Sequence, residues 1–241
     1  YGSVMPFALD IKNAVAQDGD PAGEKFVHLA NIIKVSAMHR VSDIYGPIRY
    51  TKFDDFATTG EYDSQEVAYN AFFNDLEAAI VGLKAFEGAP QFIPFDMSAL
   101  GGDIAMWRKY ANSLRLRLAM RLVNVDPTLA KMQGEKSLSS DAGLLESTDM
   151  YINTGFAHPI TVISGAWGDI RMGAEMESIL EGFDDGRKQV YFNPAGDAAL
   201  AGTYKGIRMG IEIEAKAQYV GHSSIGSIID NETIQWMTVS E

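Results

Sequence analysis

The stretch WRKYANSLRLRLAMRLVNVDP, residues 107–127, constrains the fold more than any other part of the chain. At 100° per residue, Trp107, Ala111, Leu114, Leu118, Leu122 and Val125 form one apolar stripe, and Leu116, Met120 and Val123 form a second nearly opposite it. Arg108 and Arg115 fall on one seam between the stripes, Arg117 and Arg121 on the other. A helix with two apolar faces belongs between neighbours. The arginine stems then cover apolar surface while the guanidinium groups reach carboxylates or helix-terminal carbonyls on adjacent helices. Trp107, Leu114, Arg115, Arg117, Leu118 and Arg121 are therefore expected to be structural. Asp103 reads as the N-cap and Asp126-Pro127 as the stop, which gives roughly six turns.

Other helices surround this one. Phe7, Ile11, Ala14 and Val15 suggest a helix from about Ser3 that ends at Gly19-Asp20-Pro21. A second, from Ala22 to about Arg40, carries Phe26, Leu29, Ile33, Val35 and Ala37 around most of its circumference. Residues 43–63 read as a long loop bearing Tyr45, Tyr50, Phe53, Phe56 and Tyr62. Helical spacing returns at Val67, Ala71, Leu76, Ile80 and Leu83, with Ser64 as cap, and a short helix is expected from Thr128 to Leu138. Residues 143–169 read as loops and brief strands. Another helix follows Asp169, with Ile170, Met172, Met176, Ile179 and Leu180 as its apolar face and Gly182 at its end. Beyond it, residues 183–224 mix turns with polar segments.

Composition narrows the function. The 241 residues carry 32 acidic against 20 basic side chains, a formal net charge of -12. That balance disfavours general attraction to nucleic acid, so no nucleic-acid partner is expected. The chain has no cysteine, which excludes disulfides, thiolate metal sites and thiol nucleophiles. No apolar run is long enough to span a membrane, and YGSVMPFALD has no signal-peptide pattern.

Enzyme and metal motifs are missing. Glu175 and Glu177, Asp184 and Asp185, and Glu212 and Glu214 lie one or two residues apart, a spacing that points helical side chains in different directions. His28, His39, His158 and His222 form no zinc-binding motif, and the twelve-residue calcium loop is absent. Ser164, in VISGAWG, is outside any Gly-x-Ser-x-Gly elbow. The sequence thus calls for no metal, no cofactor and no catalytic residue.

The arginine-rich helix resembles the signature helix of the SusD/RagB family of outer-membrane nutrient-binding lipoproteins, in its SusD-like branch. HRVSDIYGPIRYTKF is similar to that family's D-x-Y-G-x-x-x-Y loop. WGDIRMGAEMESILEGFDDGRKQVYFNPA is similar to its later helix and N-D-P-R-L turn, and YKGIRMGI and IQWMTVSE resemble segments further on. Gly186 and Arg208 stand where the family patterns have proline.

The resemblance implies a mainly α fold of tetratricopeptide-like helix pairs, an α-α superhelix, with an irregular ligand-facing region. It implies one SusD-like domain over residues 1–241, short of C-terminal helices and of an upstream signal with a lipidated cysteine. It further implies a lipid-anchored, surface-exposed place at the outer membrane. There the protein would bind an oligosaccharide or similar nutrient and deliver it to a TonB-dependent outer-membrane transporter (SusC-like). The alternatives are a helical-repeat protein scaffold and a glycan hydrolase.

A glycan site needs aromatic platforms for sugar C–H faces beside polar groups for the hydroxyls. Tyr45 and Tyr50 flanking Arg49, Trp167 adjoining Asp169, and Tyr191 and Tyr204 in irregular sequence are the candidate ligand-binding residues. A charged ligand would instead point to Arg49, Arg171 and Arg187.

Overall fold

The computed structural model describes residues 2, 4–53, 60–146, 150–153, 159–226 and 233–237. Ser3, Phe56, His158 and the end of the IQWMTVSE segment lie outside them. The chain divides into two units: Tyr1–Met150 with Met237–Glu241, and Tyr151–Trp236.

The first unit is a succession of helices, each packed on the next: α1 (Met5–Asp18), α2 (Glu24–Tyr45), α3 (Gln65–Gly82), α4 (Ile104–Arg121) and α5 (Pro127–Leu138). Pro6 sits in the first turn of α1, where its missing N–H costs nothing. Gly19 closes the helix in the left-handed conformation, its N–H donating to the Val15 carbonyl. Helix α2 runs beyond Arg40 because its polar tail finds partners across the fold. Ser42 donates to the Gly46 carbonyl, and Asp43 accepts from the Tyr69 hydroxyl at 2.5 Å and pairs with Arg121 at 2.8 Å. Phe26 and Ile33, expected as packing surface on α2, are exposed, while Leu29 and Val35 are buried.

Ser64 caps α3 by accepting from Val67 N–H, and Asp103 caps α4 by accepting from the N–H groups of Ala105 and Met106. Helix α4 is shorter than its pattern predicts. It stops at Arg121, and a turn carries residues 122–125 to Asp126, which caps α5. Of the first stripe, Trp107, Ala111, Leu114 and Leu118 are buried as expected, while Leu122 is half-buried and Val125 exposed. The second stripe is not: Met120 and Val123 are exposed and Leu116 is half-buried. The second buried face is instead Arg108, Asn112, Arg115 and Ala119, about 100° round the helix from the first.

This polar face closes because each of its two buried guanidinium groups pairs with a carboxylate from another element. Arg108 donates from Nε to the Ile80 carbonyl at 2.7 Å and pairs with Glu87 and Asp141. Arg115 pairs with Glu77, which also takes Lys136 at 2.8 Å. Asn112 donates to the carbonyls of Ser137 and Gly143, and the Ser137 hydroxyl returns a bond to the Asn112 carbonyl at 2.8 Å, fastening α5 to α4. A cationic helix thus sits in an acidic protein as the hub that neutralises its neighbours' carboxylates. Removing one of these carboxylates would leave a buried guanidinium short of a partner, at a cost of roughly 1–3 kcal/mol, since the carboxylates themselves are a third or more exposed.

Buried His39 makes this unit acid-sensitive. Its Nδ1–H donates to the Val35 carbonyl at 3.0 Å. Burial pushes its pKa down from 6.5 to about 4; the Val35 carbonyl and Asp43 pull it up, while Arg117 and Arg40 push it down. The unfolded chain therefore takes up this proton more readily than the folded one between those two values. The associated stability is fully present above pH 6.5 and is lost as pH falls to about 4. The loss amounts to about 3 kcal/mol. Urea unfolding at pH 7 and pH 4.5 is expected to show it, with a clearly flatter pH dependence in His39→Gln. Parallel pH dependences in the two proteins would rule the assignment out.

The second unit is less regular. It holds α6 (Pro159–Ser164), α7 (Ala174–Gly182) and α8 (Lys188–Tyr191), joined by turns. Strand β1 (Met150–Asn153) pairs with β2 (Thr233–Met237). Helix α7 starts later than expected because Met172 and Gly173 are taken up in backbone pairing. Met172 N–H donates to the Ser223 carbonyl, and Ile207 N–H to the Met172 carbonyl at 2.7 Å.

Candidate functional site

A cleft in the second unit is built on the turn after α6. Trp167 N–H donates to the Val162 carbonyl and Asp169 N–H to the Ile163 carbonyl, which folds the turn back on its helix. Gly168, at φ 66°, is required at its apex: a Cβ there would lie 3.1 Å from Val220 and 3.2 Å from the Arg171 guanidinium. Arg171 fastens this turn to a distant segment. It donates from Nε to the Val220 carbonyl at 2.8 Å and from one terminal nitrogen to the carbonyls of Ser164 and Ile170, both at 2.7 Å. Burial lowers its pKa, with Asp169 opposing. Lys216 reaches over from the 216–218 turn, pairing with Asp169 at 2.5 Å and donating to the Trp167 carbonyl.

These segments enclose a cleft of about 250 Å³ lined by Gly168, Asp169, Arg171, Ile207, Ile213, Lys216, Tyr219 and Val220. Its chemistry is mixed. Ile207, Ile213 and Val220 give an apolar wall, and Tyr219, half-buried and tilted against the His222 ring at 5.2 Å, gives an aromatic edge. Asp169 and Lys216, each about half-exposed, give an acceptor and a donor. Trp167, next in sequence to the lining, is 60% exposed. Ile207 is held in place by pairing with the 172–174 segment, and behind it Glu177 accepts from Gly206 N–H at 2.7 Å and from Lys205 at 2.8 Å. Burial raises the pKa of Glu177, but these two donors outweigh it and the carboxyl ends below its usual range.

Of the sequence candidates, the structure places Trp167 and Asp169 at this cleft. Tyr191 and Tyr204 gather elsewhere in the unit. Lys188 on α8 lies 5.1 Å above the Tyr204 ring, and Tyr191 ends the same helix, beside an Arg187 guanidinium paired with Asp185. Tyr45 is in the first unit, 76% exposed at the end of α2.

Tyr50 and Arg49 are corrections. Tyr50 is 5% exposed, with its ring edge-on to Phe72 at 4.7 Å and its hydroxyl donating to Asp75 at 2.5 Å. Arg49 is 9% exposed, its guanidinium 5.9 Å from the Phe53 ring and packed directly against Gly60. Neither can serve as an open platform. The loop is drawn inward because Ile48 pairs with Asp63, whose carboxylate also accepts from the N–H groups of Tyr50 and Thr51 and from the Thr51 hydroxyl.

Lys216, Tyr219, Ile207 and Ile213 escaped sequence reasoning. They stand about 40–50 residues from Trp167 in a stretch without periodicity. The one local sign was an aromatic residue near glycine in KAQYVGHSS.

The model of the SusD-like family, described as "Susd and RagB outer membrane lipoprotein", matches residues 1–241. The chain belongs to this family. A chitin-binding SusD homologue from Flavobacterium johnsoniae is 37% identical over the whole chain, with a TM-score of 0.82. SusD homologues from Bacteroides vulgatus and Bacteroides uniformis are 34% and 29% identical over 98% of it, with TM-scores of 0.78 and 0.75. The SusD-like chain spans about half the length of these solved relatives: 50%, 49% and 50%. None of the curated proteins matches it. The mainly α architecture of tetratricopeptide-like helix pairs expected from the resemblance is the fold found. Family membership also ties the chain to the outer membrane. No helix among the described residues is long and apolar enough to cross one.

Proposed function

We propose that this SusD-like chain binds an oligosaccharide at the cell surface, in the cleft of its second unit, and hands it to a TonB-dependent outer-membrane transporter. A lipid anchor would hold the full-length protein at the membrane. The observation that carries the reading is the juxtaposition of Tyr219, the Asp169–Lys216 pair and the Ile207, Ile213, Val220 wall around about 250 Å³, with Trp167 open beside it. That volume is at the small end of ligand cavities, the scale of one ring of a chain lying across an open surface.

Chitin, the ligand of the Flavobacterium relative, supplies the first probe. An acetamido group suits the cleft: its N–H can donate to Asp169, its carbonyl can accept from Lys216, and its methyl can rest on the isoleucines. Binding without catalysis is the favoured outcome, because most glycoside hydrolysis uses a pair of carboxyl groups and Asp169, already paired with Lys216, is the only carboxylate among the lining residues.

Calorimetric titration with a chitin hexasaccharide tests the reading. Trp167→Ala and Tyr219→Ala are each expected to lose about 1–3 kcal/mol of binding, with circular dichroism unchanged. Stacking and neutral hydrogen bonds are screened little, so affinity should change less than about threefold between low and high salt. Undiminished affinity in both variants would remove these rings. A steep loss with salt would show that contacts to the exposed Asp169–Lys216 pair, rather than stacking, hold the sugar.

A further inference from the structure

A second cleft, in the first unit and independent of the glycan reading, lies where the end of α2, the start of α3, the end of α4 and the start of α5 converge. It measures about 270 Å³ and is lined by residues of two kinds. Leu122, Val125 and Leu129 supply apolar surface, with Val125 81% exposed. Asp43, Glu66 and Asp126 supply three carboxylates against the single guanidinium of Arg121.

The charges are not equivalent. Asp43 is committed to Tyr69 and Arg121, and Asp126 accepts from Leu129 N–H as the cap of α5. The Glu66 carboxylate makes no hydrogen bond or ion pair among the described residues. The anionic excess is therefore available to a visitor, while Arg121 is already neutralised by Asp43. The apolar lining of Leu122, Val125 and Leu129 beside an acidic wall marks a surface for another protein segment, since a small cation alone would gain nothing from it.

We infer that this cleft docks a protein segment presenting a lysine beside large aliphatic side chains, its ammonium directed to Glu66 and its stem and neighbours laid on Leu122, Val125 and Leu129. Charge complementarity selects the occupant: a segment carrying glutamate there would face three carboxylates. Lysine fits better than a wholly apolar segment, because the latter would desolvate Glu66 without replacing its water.

The test uses the whole chain and two peptides, acetyl-Gly-Ser-Leu-Lys-Ile-Ser-Gly-amide and its counterpart with glutamate for lysine, titrated by amide NMR. The lysine peptide is expected to bind at least about tenfold more tightly than the glutamate peptide, and more weakly as salt rises. Glu66→Gln and Val125→Ser, both at exposed positions and so expected to fold like the parent, should each weaken it about fivefold or more. Amide shifts should cluster at residues 43–45, 65–70 and 120–129. Equal affinities, tighter binding of the glutamate peptide, absence of binding at millimolar concentration, or full affinity in both variants would each overturn the proposal.

Discussion

Leu118→Asp is expected to leave the protein without a cooperative thermal transition and mostly in the insoluble fraction. Leu118 is fully buried on the stripe of α4 that also carries Trp107, Ala111 and Leu114. An aspartate there loses the leucine's burial, roughly 2–3 kcal/mol, and adds the cost of burying a carboxyl group with no partner of its own. Together these approach the whole stability of an ordinary domain, about 5–15 kcal/mol. The guanidinium groups of Arg108 and Arg115 offer no rescue, since they project from a different face and are already paired with Glu87, Asp141 and Glu77. A variant that melts like the parent would show that α4 is not the helix on which the first unit is assembled. The conservative Leu118→Met should cost less than about 1.5 kcal/mol, which separates loss of packing from loss of length.

Gly206→Ala is expected to have a comparably large but local effect. A Cβ at this position would lie 2.5 Å from the Gly173 carbonyl carbon and oxygen and 2.6 Å from the Ala174 nitrogen. Those are backbone atoms in a paired segment, so no side chain can swing aside, and the two segments must separate. Separation would break the Ile207–Met172 and Ala174–Ile207 hydrogen bonds and withdraw Ile207 from the cleft wall. The strain of such overpacking is on the order of 1–3 kcal/mol or more. The expected result is faster amide exchange at residues 172–174 and 205–207, at least tenfold weaker glycan binding, and near-normal helix content, because the first unit keeps its own core. Wild-type exchange and affinity in Gly206→Ala would contradict the close approach.

These two positions also show where the sequence was legible. Leu118 belongs to a periodic pattern, and periodicity reports the burial of a helix face directly. The caps Ser64 and Asp103 and the stop at Gly19 could be read because each acts on the backbone only a few residues away. The pattern misled where polar partners decide burial. Arg108, Asn112 and Arg115 are more deeply buried than Met120 and Val123, because Glu87, Asp141 and Glu77 pair with the two guanidinium groups and the Ser137 and Gly143 carbonyls accept from the Asn112 amide. No local rule contains those distant groups. Tyr50 failed for a related reason: loop position suggested exposure, but the Asp63 carboxylate folds the loop so that the ring meets Phe72 and Asp75.

The cleft in the second unit was half visible. Trp167 and Asp169 stood out as an aromatic beside an acid near glycine. Lys216 and Tyr219 arrive from almost fifty residues away, on a turn held by the bond from Arg171 to the Val220 carbonyl. A side chain bonding to a backbone carbonyl carries no residue-type signature at its acceptor end, so this closure could not be read from composition or spacing.

The most direct test of the account is amide chemical-shift mapping of the whole chain during titration with a chitin hexasaccharide, at low and high salt. The predicted result is a contiguous set of saturable shifts at residues 167–171, 207, 213 and 216–220, little altered by salt, with the sugar recovered uncleaved. Shifts confined to the first unit, or no saturable shifts in the cleft with any glycan offered, would contradict it.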